Sequence, residues 1–127
     1  MDATLNALSG EVIGAAIEVH RHLGPGLLES VYRRCLLREL ELRGLRATEE
    51  APVRAVYKGL SFDAAYRMDI LVEDKLAVEL KVVERLAPVH EAQLLSYLRL
   101  AELPLGLLIN FHVRQLSAGV KRVINTC

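Results

Sequence analysis

A two-residue alternation of apolar and polar side chains over residues 60–82 constrains the fold more than any other feature of the sequence. Every even position of residues 60–72 is apolar or aromatic, and the even positions of residues 76–82 continue the pattern. Strands place successive side chains on opposite faces, so each run predicts a half-buried β-strand. The polar segment Glu73-Asp74-Lys75 between the runs predicts the turn of an antiparallel hairpin.

Burial favours one register for this hairpin. A turn centred on Asp74 keeps the even apolar residues on one face, places Asp69 opposite Glu79 on the other face, and places Arg67 opposite Lys81. A slip of one residue would put the two acids on opposite faces. Two facing carboxylates repel by about 0.2–1 kcal/mol, and by more when they are partly buried. Such a pair is tolerated when one acid is protonated, when a basic neighbour compensates, or when a cation binds between them.

The chemistry of this acid pair favours a divalent cation. Carboxylate oxygens suit Mg²⁺ or Mn²⁺, which also accept phosphate oxygens as ligands. Lys81 projects from the same face as Glu79, where its ammonium suits a phosphate or an attacking water. Glu79-Leu80-Lys81 has apolar flanks, unlike the second acid-x-Lys copy, Glu73-Asp74-Lys75, which we expect to be solvated. The alternative is a purely structural ion cluster of Arg67, Asp69, Glu79 and Lys81.

Three helices are predicted around the hairpin. The first has Ser9 as a candidate N-cap and ends at Gly24, after a basic last turn. The second begins after Gly26 and runs to about Arg43, with an apolar stripe on one side. The third runs over residues 88–102, because proline suits the first turn of a helix.

Further strands complete the expected sheet. Residues 53–57 predict a strand before the hairpin, residues 105–111 predict a central strand covered on both faces, and Val120–Ile124 predict an edge strand. The resulting order, α-α-β-β-β-α-β-β, is typical of an α/β domain with a mixed central sheet flanked by helices. No repeat or linker divides the chain, so we expect a single domain over residues 1–127.

Charge and hydropathy exclude several classes of protein. The 16 basic and 16 acidic residues are spread evenly, which excludes a polybasic mode of nucleic-acid binding but not a local basic groove. No apolar run approaches the roughly 18 residues of a membrane helix. The N-terminal region lacks the basic start of a signal peptide, and Cys35 and Cys127 form no CxxC pair. We therefore expect a cytoplasmic protein that does not act in a membrane.

The segment from Gly26 to Tyr32, GLLESVY, resembles the signature of the GxxExxY proteins, a family placed in the PD-(D/E)XK nuclease-like superfamily. The resemblance covers nearly the whole chain. It includes the Gly-Pro-Gly turn, Arg67-Met68-Asp69, Val78-Glu79-Leu80-Lys81, the run of residues 90–97 and the run of residues 106–111. Met68 stands where the superfamily name would put proline, which is not a ligand.

The resemblance implies a three-layer, restriction-endonuclease-like core and a metal-dependent nuclease acting on DNA or RNA. The sequence also resembles the RecB-like branch of that superfamily, in which a helix glutamate, an aspartate, a Glu-x-Lys and a Gln-x-x-x-Tyr surround one metal. The implied catalytic residues here are Glu29, Asp69, Glu79, Lys81, Gln93 and Tyr97. The implied ligands of Mg²⁺ or Mn²⁺ are Asp69, Glu79, Glu29 and the backbone carbonyl of Leu80.

Supporting residues are expected on the two helices that carry this set. Gly26, Glu29 and Tyr32 lie along one side of the second helix; Gly26 would allow close backbone approach, and we expect Tyr32 to pack and to form hydrogen bonds. His90 lies on the same side of the third helix as Gln93 and Tyr97. Three basic residues that flank Glu29 could contact a nucleic-acid backbone or form a solvated face that pairs with Glu41 and its neighbours; they are Arg33, Arg34 and Arg38.

Two interpretations compete with a nuclease. The chain could be a non-catalytic module that keeps the fold for nucleic-acid binding or oligomerisation, or the charged residues of the hairpin could only stabilise it. A nuclease of this size often uses a partner chain to surround its substrate, so a homodimer is a further expectation.

Overall fold

The structure, a computed structural model, describes residues 2–126. Its regular elements follow the predicted order, with a short 3₁₀ helix added before the last strand. In chain order they are α1 (Ala3–Leu23), α2 (Glu29–Leu42), β1 (Ala47–Tyr57), β2 (Leu60–Val72), β3 (Leu76–Lys81), α3 (Pro88–Ala101), β4 (Leu105–Asn110), the 3₁₀ helix (Leu116–Gly119) and β5 (Val120–Ile124).

The strands form one mixed sheet in the order β1-β2-β3-β4-β5. Only β3 and β4 pair in parallel, and the other neighbours are antiparallel. All six residues of β4 are buried, which confirms the prediction of a strand covered on both faces. β5 is an edge strand, also as predicted.

Two clusters of buried side chains cover the two faces of the sheet and produce three layers. On one face, α1 and α2 pack through residues such as Val12 and Leu36 against Ile70 and its neighbours. On the other face, α3 packs through Leu94 and Leu98. Each such buried side chain contributes roughly 1.5–3 kcal/mol. The mixed sheet between helices confirms the expected α/β core.

The predicted register of the β2–β3 hairpin is confirmed next to the turn, whereas the predicted pair of Arg67 and Lys81 lies beyond the end of the ladder and is not formed. Ile70 pairs with Val78 and Val72 pairs with Leu76, which is the register centred on Asp74. These even residues face the α1–α2 layer.

The expectation that all even residues of β2 are buried on one face is wrong for its first half. Leu60, Phe62 and Tyr66 are exposed, and Met68 packs on the α3 side. The pairing of β1 with β2 shifts register between Val53 and Ala55. Such a bulge bends and twists the strands, and the outer half of the hairpin leaves the helices that would cover it.

Two element boundaries differ from the prediction because tertiary contacts extend the elements. α1 begins at Ala3, where Asp2 is the N-cap and accepts a hydrogen bond from the Leu5 amide at 3.0 Å. Ser9 is instead buried inside this helix and donates to the Asn6 carbonyl. β1 begins at Ala47 rather than at residue 53, because pairing with β2 continues through its charged residues.

The start of α2 agrees with the prediction. α2 begins at Glu29, three residues after Gly26. None of the helices in residues 2–126 has the length and hydropathy needed to cross a membrane. Cys35 is a free thiol, whereas Cys127 lies outside the described residues.

Candidate active site

Asp69 and Glu79 lie where the β2–β3 ladder ends, one position beyond the Ile70–Val78 pair. The Asp69 amide donates to Glu79 Oε1 at 2.9 Å, and the Leu80 amide donates to Asp69 Oδ2 at 2.8 Å. Each carboxylate therefore accepts a hydrogen bond from the backbone of the opposite strand. These two reciprocal bonds hold both acidic side chains in place.

Burial makes this acid pair electrostatically unusual. Glu79 is only 5% exposed. Desolvation, followed by the charge of Asp69, raises the pKa of Glu79 to about 8, and a hydrogen bond between the two carboxyl groups acts in the same direction. The Asp69 amide and the Lys81 charge lower this pKa, but they do not outweigh burial. At neutral pH the pair therefore holds one proton, which a cation could replace.

Glu29 reaches the same region from the first turn of α2. Burial and then the charge of Asp69 raise the pKa of Glu29, whereas Lys81 and Arg33 lower it. The structure thus brings Glu29 into electrostatic contact with the acid pair. Among residues 2–126, however, no group of three or more His, Cys, Asp or Glu side chains is close enough to hold a metal ion, so Glu29 is not assembled with Asp69 and Glu79 as a third ligand.

Lys81 is the last residue of β3 and pairs with Asn110 of β4. Within the described residues, no ion pair joins Lys81 or Arg67 to Asp69 or Glu79. The structural ion cluster considered above is therefore not formed. A half-buried ammonium without a close carboxylate partner remains able to bind an anion.

The α3 residues differ in how closely they approach the acids. Tyr97 is almost buried, and burial followed by the charge of Glu79 raises the pKa of its phenol. Gln93 lies one turn earlier in α3 and is exposed, and its side chain makes no hydrogen bond within the described part of the chain. His90 has a structural role, because its Nδ1 accepts a hydrogen bond from the Ala87 amide at 2.9 Å and so caps α3.

Tyr32 fixes the turn that precedes α2. Its ring stacks on Phe111 with 4.5 Å between the centroids. Its hydroxyl donates to the Gly24 carbonyl at 2.5 Å and accepts from the Leu27 amide at 3.1 Å. These contacts confirm that Tyr32 packs and forms hydrogen bonds.

Gly26 serves the same turn by its conformation. It has φ +95°, which favours glycine. No heavy atom beyond its chain neighbours lies within 4 Å of the place where a Cβ would stand. Conformation, and not the expected close backbone approach, therefore explains this glycine.

One comparison with known proteins decides the family. The sequence model that describes the PD-(D/E)XK nuclease superfamily matches residues 6–123. The chain belongs to the PD-(D/E)XK nuclease superfamily. No curated protein and no solved structure matches the chain significantly.

In this PD-(D/E)XK protein the three basic residues of α2 differ in their ion-pair partners. Arg33 forms an ion pair with Glu49 at 3.0 Å and is also close enough to Asp69 to feel its charge. Arg38 pairs with Glu41, as the solvated-face interpretation expects. Arg34 is exposed and has no partner within the described residues.

Sequence reasoning missed Tyr66 of this PD-(D/E)XK protein. Its ring lies 5.8 Å from that of Tyr97, centroid to centroid, with the planes tilted by 41°. Tyr66 also contributes to the raised pKa of Tyr97. Its position three residues before Asp69 could have indicated that Tyr66 lies near the site, but the apolar alternation of residues 60–72 predicted a core side chain.

Proposed function

We propose that this chain is a metal-dependent nuclease of the GxxExxY type that hydrolyses phosphodiester bonds of DNA or RNA, with a single domain as the catalytic unit. The observation that carries the proposal is the pair of half-buried Asp69 and buried Glu79, held by reciprocal backbone hydrogen bonds. The charge of Lys81 acts on this pair without forming an ion pair with it in the described part of the chain. Membership of the nuclease superfamily supports the same reaction.

The donor set fits Mg²⁺ or Mn²⁺. Asp69 Oδ2 and Glu79 Oε1 are engaged by backbone amides, which leaves the second oxygen of each carboxylate for a cation. An all-oxygen site with few protein ligands is typical of Mg²⁺, which keeps several waters. Asp69, Glu79 and the carbonyl of Leu80 would hold the ion, and Glu29 would add negative charge from α2. When bound, such an ion lowers the pKa of a water and polarises a phosphoryl oxygen.

The other residues would act on the phosphate and on the attacking water. The ammonium of Lys81 would orient the water or stabilise the negative charge that develops on the phosphate. Tyr97 presents a phenol beside Glu79 and would donate a hydrogen bond to a phosphate oxygen. Gln93, one turn away on the exposed side of α3, would contact the substrate.

A cleavage assay tests this proposal. Purified protein should cleave fluorescently labelled single- or double-stranded DNA or RNA in 5–10 mM Mg²⁺ or Mn²⁺ (about the usual assay range) and should lose activity in EDTA. Asp69→Ala should abolish cleavage while its circular dichroism spectrum stays that of the folded protein. Cleavage that survives in Asp69→Ala would overturn the assignment of the site.

The second candidate is a non-catalytic nucleic-acid-binding or oligomerisation module. It is favoured by one observation: Glu29 does not join Asp69 and Glu79 in a group of three ligands. Calorimetric titration with Mn²⁺ separates the two candidates, because the nuclease requires saturable binding that Asp69→Ala removes. Sedimentation analysis of the same samples tests the expected homodimer.

A further inference from the structure

The outer half of the β1–β2 hairpin exposes an unusual concentration of large apolar side chains. We define this part, residues 54–67, as the arm. Five of its side chains are 45–65% exposed; they are Val56, Tyr57, Leu60, Phe62 and Tyr66. Tyr57 pairs with Leu60, and Ala55 pairs with Phe62, so Tyr57, Leu60 and Phe62 share one face of the arm, whereas Val56 lies on the other. A group of exposed large apolar side chains on one face is uncommon in monomeric proteins and marks a binding surface.

The aromatic residues of the chain are divided between the core and this surface. The chain has six, and two of them, Tyr32 and Phe111, stack inside the core. Three others lie on the arm, and the last, Tyr97, contacts Tyr66. Tyr97 in turn lies close enough to Glu79 to feel its charge. The contact of Tyr66 with Tyr97 therefore joins the base of the arm to the helix residue that lies beside the acid pair.

The charge of the arm complements a polyanion. The arm contains three basic residues and one acidic residue, although the whole chain is neutral. Asp63 pairs with Arg54 at 3.3 Å, whereas Arg67 is exposed and has no ion-pair partner within residues 2–126. Arg67 follows Tyr66, so their side chains leave opposite faces of β2, in a stretch where β2 pairs with β1 but not with β3. A single strand that crosses this unpaired edge reaches both side chains. Basic groups interleaved with exposed rings are the recognised features of surfaces that bind single-stranded nucleic acid.

We propose that the arm binds single-stranded DNA or RNA, with bases stacked on Phe62 and Tyr66 and a phosphate on Arg67, and guides the strand to Asp69 and Glu79. This inference rests on the proposed nuclease function. A single strand is favoured over a duplex because stacking on a side chain requires an unpaired base face. Continuity with the acid pair through Tyr97 favours a nucleic acid over a second copy of this chain.

Fluorescence anisotropy in EDTA tests the arm separately from cleavage. The probes are a labelled dT oligonucleotide, a labelled rU oligonucleotide of the same length, and a labelled DNA duplex. We expect at least one single strand to bind more tightly than the duplex. Phe62→Leu and Tyr66→Leu keep an apolar side chain but remove the ring, and each should weaken single-strand binding about tenfold, which is within the range for loss of one stacked base. Tyr66→Phe should bind as wild type does.

The controls separate the alternatives. Leu42→Ala removes an exposed apolar side chain outside the arm and should leave binding unchanged. Equal binding by wild type and both Leu variants, or tighter binding of the duplex, would overturn the inference. So would a wild-type dimer that the Leu variants convert to monomers without any change in single-strand binding.

The failure of this inference can be told apart from the failure of the nuclease proposal. If wild type cleaves and the arm variants also bind and cleave normally, only this inference fails. If single strands bind without any metal-dependent cleavage, only the nuclease proposal fails.

Discussion

Asp69 and Glu79 exchange hydrogen bonds across the end of a hairpin, each carboxylate accepting from the backbone of the opposite strand at 2.8–2.9 Å. The ladder of backbone hydrogen bonds ends at the preceding pair, and the two side chains continue it. Two acids that would otherwise repel are thereby held together in a buried position, where Glu79 retains a proton. We propose that a cation replaces this proton when it binds the pair.

Lys81 should be required for cleavage, whereas the matching lysine of the turn should not. Lys81→Ala removes the ammonium beside the acid pair, and we expect a loss of about 10²–10³-fold in the cleavage rate, as for other single groups that stabilise transition-state charge. Lys75→Ala changes the same residue type in the solvated copy Glu73-Asp74-Lys75 and should cleave as wild type does. Equal rates for the two variants would remove Lys81 from the site.

Mg²⁺ or Mn²⁺ should stabilise the folded protein through the acid pair. A ligand at 100 times its Kd adds about 2.7 kcal/mol to the free energy of unfolding, so the metal should raise Tm by several degrees in a thermal melt. Asp69→Ala should melt at the same temperature with metal and with EDTA. Asp74→Ala, which removes an exposed acid of the turn, should keep the wild-type shift. A shift that persists in Asp69→Ala would place the metal elsewhere.

The metal-free protein should lose stability as the pH rises from about 4.5 towards 8. The pKa of Glu79 is about 8 in the folded state and 4.5 ordinarily, so the folded protein binds a proton that the unfolded chain has released over this interval. Its contribution to stability is complete below pH 4.5 and is lost as the pH rises through 8. Urea unfolding in EDTA measures this loss.

Glu79→Gln supplies the control for that pH series. Glutamine keeps an oxygen that accepts from the Asp69 amide and resembles the protonated acid, but it does not titrate. The advantage of Glu79→Gln in the free energy of unfolding should therefore grow with pH. Parallel pH curves for the two proteins would contradict the assigned pKa.

The hydroxyl of Tyr32 should stabilise the fold through the Gly24–Leu27 turn. Tyr32→Phe keeps the stack on Phe111 but leaves the Gly24 carbonyl and the Leu27 amide without this partner. We expect a cost of about 1–3 kcal/mol in the free energy of unfolding. Tyr57→Phe makes the same change on an exposed ring and should cost nothing measurable. An equal stability for Tyr32→Phe and wild type would show that water replaces the hydroxyl at no cost.

The hairpin register and the acid pair were predictable from the sequence because both depend on side-chain alternation, which is a local property of a strand. The shared face of Ile70, Val72, Leu76 and Val78 sets the register of the turn, and that register brings Asp69 and Glu79 together at the end of the ladder. The order of helices and strands was predictable for the same reason. The period of the apolar residues indicates whether a segment is a helix or a strand, and glycines and prolines lie close to the ends of these elements.

Tertiary structure alone decided which of these faces is covered and how the charges are partnered. Tyr66 continues the apolar alternation, yet its ring is about half exposed and lies beside Tyr97 of α3 instead of in the core under α1 and α2. Asp2, and not Ser9, caps α1 because packing extends the helix by two turns towards the N-terminus (roughly 3.6 residues each). The raised pKa of Glu79, and the lack of an ion pair at Lys81 among residues 2–126, depend on burial and on distances between separate elements. Those quantities are set by packing in three dimensions, and no local pattern of residues encodes them.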